Sequence, residues 1–262
     1  MTSVDRAVDL DKVLPALDEE FDAIIELAAS LAPGDWERPT ACPGWSVKDN
    51  LAHVIGTEAM LAGRPLPEVE LGDASHLRND IARFNEHWVE SYRPGPASAV
   101  LDDLRGIIAE RRAALAAMTR TDFDTEAMTP AGPDTYGRFM RIRIMDIWMH
   151  EQDVREALRR RGHLTGQAPQ QSLAEVSAAL GYVVGKRVAP PPGTTVRFEL
   201  TGDLAGTLDI EVTDRARLVA GIDGSPTVEI RVPGDRFVRI AGGRLSDSDD
   251  PQMGVAYTGD AT

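Results

Sequence analysis

The chain has 262 residues, a length that suits one or two domains, because a single hydrophobic core stops growing near this size. Apolar residues make up 42% of the chain and charged residues 27%, as in ordinary soluble globular proteins. The net charge of -14 argues against binding to nucleic acid or to an anionic membrane surface, since both require an excess of Lys and Arg.

The first two-thirds of the chain have the residue spacing of amphipathic helices. Over residues 10–31 apolar side chains recur at intervals of three and four, and Pro33-Gly34 predicts the end of this helix. A second helix is predicted to begin at Ser46, because Ser46 and Asp49 have the spacing of a capping box. Further helical patterns lie around Ser75–Tyr92, Ala97–Met118, Gly137–Arg161 and Pro169–Val188. Residues 119–136, rich in turn-forming residues, are predicted to form a loop.

The spacing of apolar residues changes after Pro190-Pro191-Pro192-Gly193. Apolar and polar residues then alternate in three stretches, Val196–Leu200, Leu208–Val212 and Val228–Val232. Period two is the pattern of half-buried strands, and a short helix is predicted at Asp235–Ala241. We therefore predict an α+β fold, with a helical domain over residues 1–189 and a small sheet-containing domain over residues 190–262.

Asp146 and His150 are the first candidates for chemistry. They are four residues apart in a helical pattern, so both side chains project from one face, one turn from each other. The residues around them are apolar, which indicates a buried face where a carboxylate is costly unless it is paired or bound to metal. A buried Asp–His hydrogen bond without metal is the simpler interpretation of this pair taken alone.

His53, in the second predicted helix, supplies a third candidate. Helical bundles build metal sites from side chains on facing helices. Three protein ligands that leave open positions are what a catalytic metal site requires. The sequence therefore predicts a divalent metal held by His53, Asp146 and His150.

Four other residues have simpler interpretations. Glu151 and Asp153 either orient the imidazole of His150 or form a solvated helix flank. His163, at a helix end, is interpreted as a cation that stabilises the helix C-terminus. Cys42 is the single cysteine, so no intramolecular disulfide can form, and a small packed loop residue is favoured over a nucleophile.

Two absences bear on where the protein resides. The N-terminal residues lack the basic and then apolar pattern of a signal peptide. No apolar run approaches the about 20 residues that span a bilayer. We expect a cytoplasmic protein.

The stretch Pro43–Val54, PGWSVKDNLAHV, carries a family resemblance. It resembles the start of the second helix in the DinB-like metalloenzymes, specifically the mycothiol-dependent maleylpyruvate isomerase family. In that family a Pro-Gly-Trp turn precedes a helix whose histidine binds zinc, and a later helix supplies a carboxylate and a histidine. His53, Asp146 and His150 match those positions. The resemblance implies a DinB-like four-helix bundle followed by a small, sterol-carrier-like α/β C-terminal domain.

The resemblance also implies a reaction. Bound Zn²⁺ deprotonates a coordinating thiol, and because the chain has no well-placed cysteine, the thiol is expected to be mycothiol. The thiolate either adds to a maleylpyruvate-like acid, permits rotation and leaves, or attacks an electrophile in thiol S-transfer. Gly243-Arg244 resembles an arginine-bearing segment of the family's C-terminal domain. Arg244 and Arg83 are candidate catalytic residues that bind a substrate carboxylate.

One position departs from the family pattern, which has glutamate where this chain has Asp146. Asp is shorter by one carbon–carbon bond, about 1.5 Å, which implies weaker zinc binding or a different metal. A non-catalytic metal- or ligand-binding protein and a metal-dependent hydrolase are the alternatives. The expected partners are a small-molecule thiol and a small electrophilic or unsaturated acid, with no nucleic acid and no membrane. The protein is expected to be a monomer or a homodimer.

Overall fold

The computed structural model of the chain describes residues 8–72, 77–244 and 254–259. The chain divides into two compact units, Met1–His163 and Leu164–Thr262. The predicted helix start at Ser75 lies outside the described residues. Among the described helices, none is long and apolar enough to cross a membrane.

The first unit is a helical bundle. Its helices are α1 (Leu10–Ala29), α2 (Val47–Leu61), α3 (Asp80–Tyr92), α4 (Ala97–Ala117), α5 (Arg120–Phe123) and α6 (Tyr136–Ala157). The long helices α1, α2, α4 and α6 contact one another around a common core, and α3 packs against α2. The predicted loop over residues 119–136 contains α5 and a hairpin of β1 (Glu126–Thr129) and β2 (Gly132–Thr135). These elements are too short for a periodic pattern to reveal them.

Helix α2 passes through the interior of the first unit. The predicted capping box at its start is confirmed, because the Ser46 hydroxyl accepts from the Asp49 amide at 3.2 Å and the Asp49 carboxylate accepts from the Ser46 amide at 2.8 Å. Thirteen consecutive residues from Val47 to Ala59 are buried. The capping box therefore fixes the start of a helix that is buried over most of its length.

The second unit is built on a five-stranded mixed sheet of order β5-β4-β3-β6-β7. The strands are β3 (Thr195–Thr201), β4 (Gly206–Val212), β5 (Ala216–Val219), β6 (Val228–Pro233) and β7 (Ala256–Gly259). The helices are α7 (Gln167–Ala178), α8 (Leu180–Tyr182) and α9 (Gly234–Ala241), with a π-helical turn at Val183–Val188 and a 3-10 turn at Gly202–Leu204. Strand β3 pairs with β4 antiparallel and with β6 parallel. The three predicted strands and the predicted α+β class, a helical bundle followed by a small α/β unit, are confirmed.

The second compact unit begins at Leu164, within the part of the chain whose apolar spacing is helical. Helix α7 contacts α9 and the 3-10 turn at Gly202–Leu204, so it belongs with the sheet. The change in apolar spacing at residue 190 marks the passage from helices to strands and not the boundary between the units. Apolar spacing identifies the type of an element but not the elements against which it packs.

The contact between α2 and α3 gives a test of the bundle. An added Cβ at Gly56 would overlap Cβ and Cγ of Trp88 on α3. Gly56→Ala is expected to destabilise the protein by about 1–3 kcal/mol, because the core has no room for the methyl group. Gly106→Ala, in α4 with nothing within 4 Å of its added Cβ, is expected to stabilise it by about 0.5–1 kcal/mol. Urea unfolding measures both, and equal shifts would contradict the packing described.

Candidate metal centre

Three side chains that the sequence singled out meet in the first unit. His53 comes from α2, and Asp146 and His150 come from adjacent turns of α6. His53 Nε2 lies 3.2 Å from Asp146 Oδ2, and His150 Nε2 lies 3.8 Å from Asp146 Oδ1. The two imidazoles are buried, whereas the Asp146 side chain is 32% exposed. The cluster therefore faces solvent on the side of the carboxylate.

Asn50 orients the imidazole of His150. The Asn50 amide nitrogen donates to Thr40 Oγ1 at 2.9 Å and to the Ser46 carbonyl at 2.8 Å. Its amide oxygen is thereby directed at His150 Nδ1, 2.7 Å away. In the neutral imidazole the proton is held on Nδ1, and Nε2 is directed toward Asp146. A hydrogen bond on the far nitrogen is the usual partner of a metal-binding histidine.

The two imidazoles have opposite electrostatic surroundings. Burial lowers the pKa of His53 to about 4, and the charge of His150 acts in the same direction against the attraction of Asp146. Burial also disfavours the charged form of His150, but hydrogen bonding to Asp153 and Cys42 outweighs it and raises its pKa to about 9. His53 is therefore neutral at pH 7, whereas His150 must release a proton before Nε2 can bind a metal.

The donor set fits a divalent metal. Each of the three residues offers one ligand atom, and these atoms lie within 4.8 Å of one another. Bonds of about 2.0–2.1 Å in a tetrahedral zinc site place neighbouring ligand atoms about 3.3–3.4 Å apart. His53 Nε2 lies 3.2 Å from Asp146 Oδ2, close to that value, and His150 Nε2 lies 3.8 Å from the other carboxylate oxygen, Oδ1. Two imidazoles and one carboxylate leave open positions for a thiol or water.

A network of buried ion pairs, here called the ion array, contacts Asp146. Arg143, one turn earlier on α6, donates to the Asp146 carboxylate and, at 2.9 Å, to Glu58 Oε1. Arg111 of α4 donates to Glu58 Oε2 at 2.9 Å and to the Tyr136 hydroxyl at 2.6 Å. Burial tends to raise the pKa of Asp146, but Arg143 and the two imidazoles hold it well below its usual range. Sequence reasoning missed this array, since buried Arg and Glu leave no periodic signal.

The two acidic residues that follow His150 in sequence, Glu151 and Asp153, contact different partners. Asp153 contacts the imidazole, with Oδ2 3.4 Å from His150 Nδ1, and it also accepts from Cys42 Sγ at 3.1 Å. Glu151 is fully buried and binds His163 instead, at 2.6 Å. The interpretation of His163 as a residue that stabilises a helix end is wrong, because α6 ends at Ala157 and the ring contacts Glu151 of α6 and Glu19 of α1. Hydrogen bonding to these two carboxylates outweighs burial and raises the pKa of the imidazole, which favours its charged form. Neither acidic residue is part of a solvated flank.

Trp45 covers the cluster. Its ring lies 5.3 Å from that of His53 and 5.8 Å from that of His150, and its Nε1 donates to Glu86 at 2.8 Å. Trp45 and Cys42 also line a surface cavity of about 350 Å³. The Pro-Gly-Trp turn thus places an aromatic plane over both imidazoles.

The two predicted arginines lie in different units of the chain. Arg83 is exposed on α3, and none of the contacts among the described residues joins it to the three candidate ligands. Arg244 belongs to the second unit, where its guanidinium donates to the Gly242 carbonyl at 2.8 Å. Their catalytic roles stay predictions.

The fold and the cluster define a class of two-unit proteins in which a helical bundle carries a His-His-carboxylate site and an α/β unit follows. The chain belongs to the mycothiol maleylpyruvate isomerase family. Residues 17–155 match the model described as the mycothiol maleylpyruvate isomerase N-terminal domain, and residues 170–262 match the MDMPI C-terminal domain. The family assignment made from the sequence is confirmed.

Two solved structures share the fold. A crystal structure of the mycothiol-dependent maleylpyruvate isomerase aligns with a TM-score of 0.63 at 15% identity, covering 100% of this chain and 98% of that one. A variant of that enzyme with one histidine replaced by alanine aligns with a TM-score of 0.60 at 16% identity, with the same coverage. Among curated proteins, none matches this chain significantly. At such identities the structural likeness shows the fold alone.

The ion array predicts a large difference between two equivalent substitutions. Glu58→Gln leaves the buried charges of Arg111 and Arg143 without their shared carboxylate, and it is expected to cost about 3–5 kcal/mol of stability. Glu110→Gln removes an exposed pair with Arg64 and is expected to cost no more than about 1 kcal/mol. Chemical denaturation of both variants checks this. A Glu58→Gln protein as stable as Glu110→Gln would contradict the array's structural role.

Proposed function

We propose that this protein is a metal-dependent enzyme that uses mycothiol and catalyses the cis–trans isomerisation of a maleylpyruvate-like acid. The observation that carries the proposal is the meeting of His53, Asp146 and His150 at distances that suit a divalent metal. Membership of the mycothiol maleylpyruvate isomerase family supplies the thiol and the substrate class. We place the protein in the cytoplasm, where a free thiol stays reduced.

In this proposal His53, Asp146 and His150 hold the metal, which is zinc in the family that the sequence resembles. When bound, the metal lowers the pKa of a coordinated thiol so that the thiolate exists at neutral pH. The chain's own thiol does not suit this role, because Cys42 Sγ lies 3.9 Å from His150 Nδ1, the nitrogen that faces away from Asp146. An external thiol is therefore required.

The protein's own groups prepare this site for an anionic substrate. Asn50 fixes the ring of His150, and Trp45 shields both imidazoles from water. Because the Asp146 side is open to solvent, thiol and acid reach the cluster there. We assign to Arg83 and Arg244 the binding of the substrate carboxylate, which a guanidinium contacts through two parallel hydrogen bonds.

Asp146 gives the sharpest test of the metal site. Asp146→Asn keeps the shape of the side chain but removes its charge. Loss of a hydrogen bond that only supports a ligand lowers metal affinity by up to about 100-fold. Loss of the ligand's own charge is therefore expected to lower the affinity for Zn²⁺ by at least about 100-fold. Asp102→Asn, at an exposed position of α4, is expected to leave the affinity unchanged. Competition with a chromogenic chelator measures both. Equal affinities in the two variants would exclude Asp146 as a ligand.

The reaction is tested with the zinc-loaded protein, a cis-configured maleylpyruvate-like acid and mycothiol. The expected product is the trans acid, formed only when thiol and metal are both present and lost in His53→Ala. Accumulation of a stable thioether would replace isomerisation by S-transfer. Turnover without thiol would favour metal-dependent hydrolysis. Absence of stoichiometric metal, with His53→Ala as competent as the wild type, would leave a non-catalytic binding protein.

A further inference from the structure

A second cluster of ionisable side chains lies inside the first unit. It consists of Glu20 from α1, Glu151 from α6 and His163, which follows α6 in the chain. His163 Nδ1 lies 2.6 Å from Glu151 Oε2 and 3.6 Å from Glu20 Oε2. Each residue offers one ligand atom within 4.8 Å of the other two. Glu151 and His150 are neighbours on α6, about 100° apart around the helix axis, so the two clusters occupy different faces.

Glu20 is the unusual member of this cluster. Its side chain is 0% exposed, and neither carboxylate oxygen has a hydrogen-bond partner among the described residues. A buried carboxylate without partners is costly, so natural proteins pair such groups or bind them to metals. Burial and the charge of Glu151 raise the pKa of Glu20 well above its usual range, which expresses the same mismatch.

Carboxylates contact both nitrogens of the His163 imidazole. Glu19 Oε1 lies 3.2 Å from His163 Nε2, so three carboxylates surround one imidazole. Arg155, which donates to Glu151 Oε1 at 2.7 Å, supplies one positive charge. Burial disfavours the charged imidazole, but hydrogen bonding to Glu151 and Glu19 outweighs it and raises the pKa of His163, so a metal ion competes with a proton at Nδ1.

Arg143 is not a hydrogen-bond partner of Glu20. It attracts the Glu20 carboxylate from a distance, but its guanidinium is already bound to Glu58 and Asp146.

The backbone holds His163 toward the two glutamates. His163 has φ 51°, a left-handed conformation that non-glycine residues adopt at a cost. Its carbonyl accepts from Trp148 Nε1 at 2.9 Å, which anchors the segment in this conformation. The constraint positions the imidazole as a third donor from a separate part of the chain.

We propose that Glu20, Glu151 and His163 form a second divalent-cation site, independent of the proposed function. One imidazole and two carboxylates suit Zn²⁺ or Mn²⁺. The ion would replace the hydrogen bond between His163 and Glu151 by coordination. Because Glu20 and Glu151 are fully enclosed, the site is structural, and the ion fastens α1 to α6.

Zinc stoichiometry after loading and dialysis tests the site. The wild type is expected to hold two Zn²⁺ per chain, Glu20→Gln one, and Glu26→Gln two, since Glu26 lies at an exposed position of the same helix. Glu20→Gln is expected to fold, because it keeps the shape of the side chain and puts no charge in the buried position. A chelator is expected to lower the melting temperature of the wild type and of Glu26→Gln more than that of Glu20→Gln.

The outcomes separate the two clusters. Equal zinc content and equal chelator sensitivity in Glu20→Gln and Glu26→Gln would overturn the second site and leave Glu20 as a protonated acid. A single ion that is lost in Asp146→Asn and kept in Glu20→Gln would do the same. A single ion with the opposite behaviour would support the second site while contradicting the metal centre at Asp146.

Discussion

The carboxylate of Glu58, shared between Arg111 and Arg143 in the interior of the bundle, is the interaction on which the first unit depends. The three charged groups come from α2, α4 and α6, and each is at most 2% exposed. Removing one member of such an array strands the others in a medium of low dielectric constant. The array joins three of the four bundle helices and presents Arg143 to Asp146, so the same contacts serve packing and the electrostatics of the candidate metal centre.

The orientation of the cluster begins at the N-terminus of α2. The capping box at Ser46 fixes the first turn, and the Ser46 carbonyl then receives the amide of Asn50. Asn50 and His53 are three residues apart, so they share a helix face, and that face is turned toward α6. Asn50 holds the ring of His150 while His53 approaches Asp146. A local sequence feature thereby sets the geometry of a site whose other members lie about ninety residues further along the chain.

The sequence predicts those features that leave a local pattern. The capping box, the i, i+4 pair of Asp146 and His150, and the alternating strands are of this kind, as is the motif that identifies the family. Glu58 and Arg143 could not be predicted, because charged residues are seldom fully buried and nothing local distinguishes the exceptions. His163 was misjudged for a related reason. Its neighbours in sequence are arginines at a helix end, but its partner Glu19 is 144 residues away.

Helix α6 carries Arg143, Asp146, His150 and Glu151, so the polar contacts of four residues depend on the rotation of one helix about its axis. Inserting or deleting a single residue between Arg143 and Glu151 would rotate everything beyond it by about 100° and separate the members of each contact. A substitution in this segment affects the contacts of one residue, whereas a change of length displaces several contacts together. Natural variation within the family should therefore leave the spacing of this helix constant, while the connection that contains β1 and β2 is free to grow or shrink.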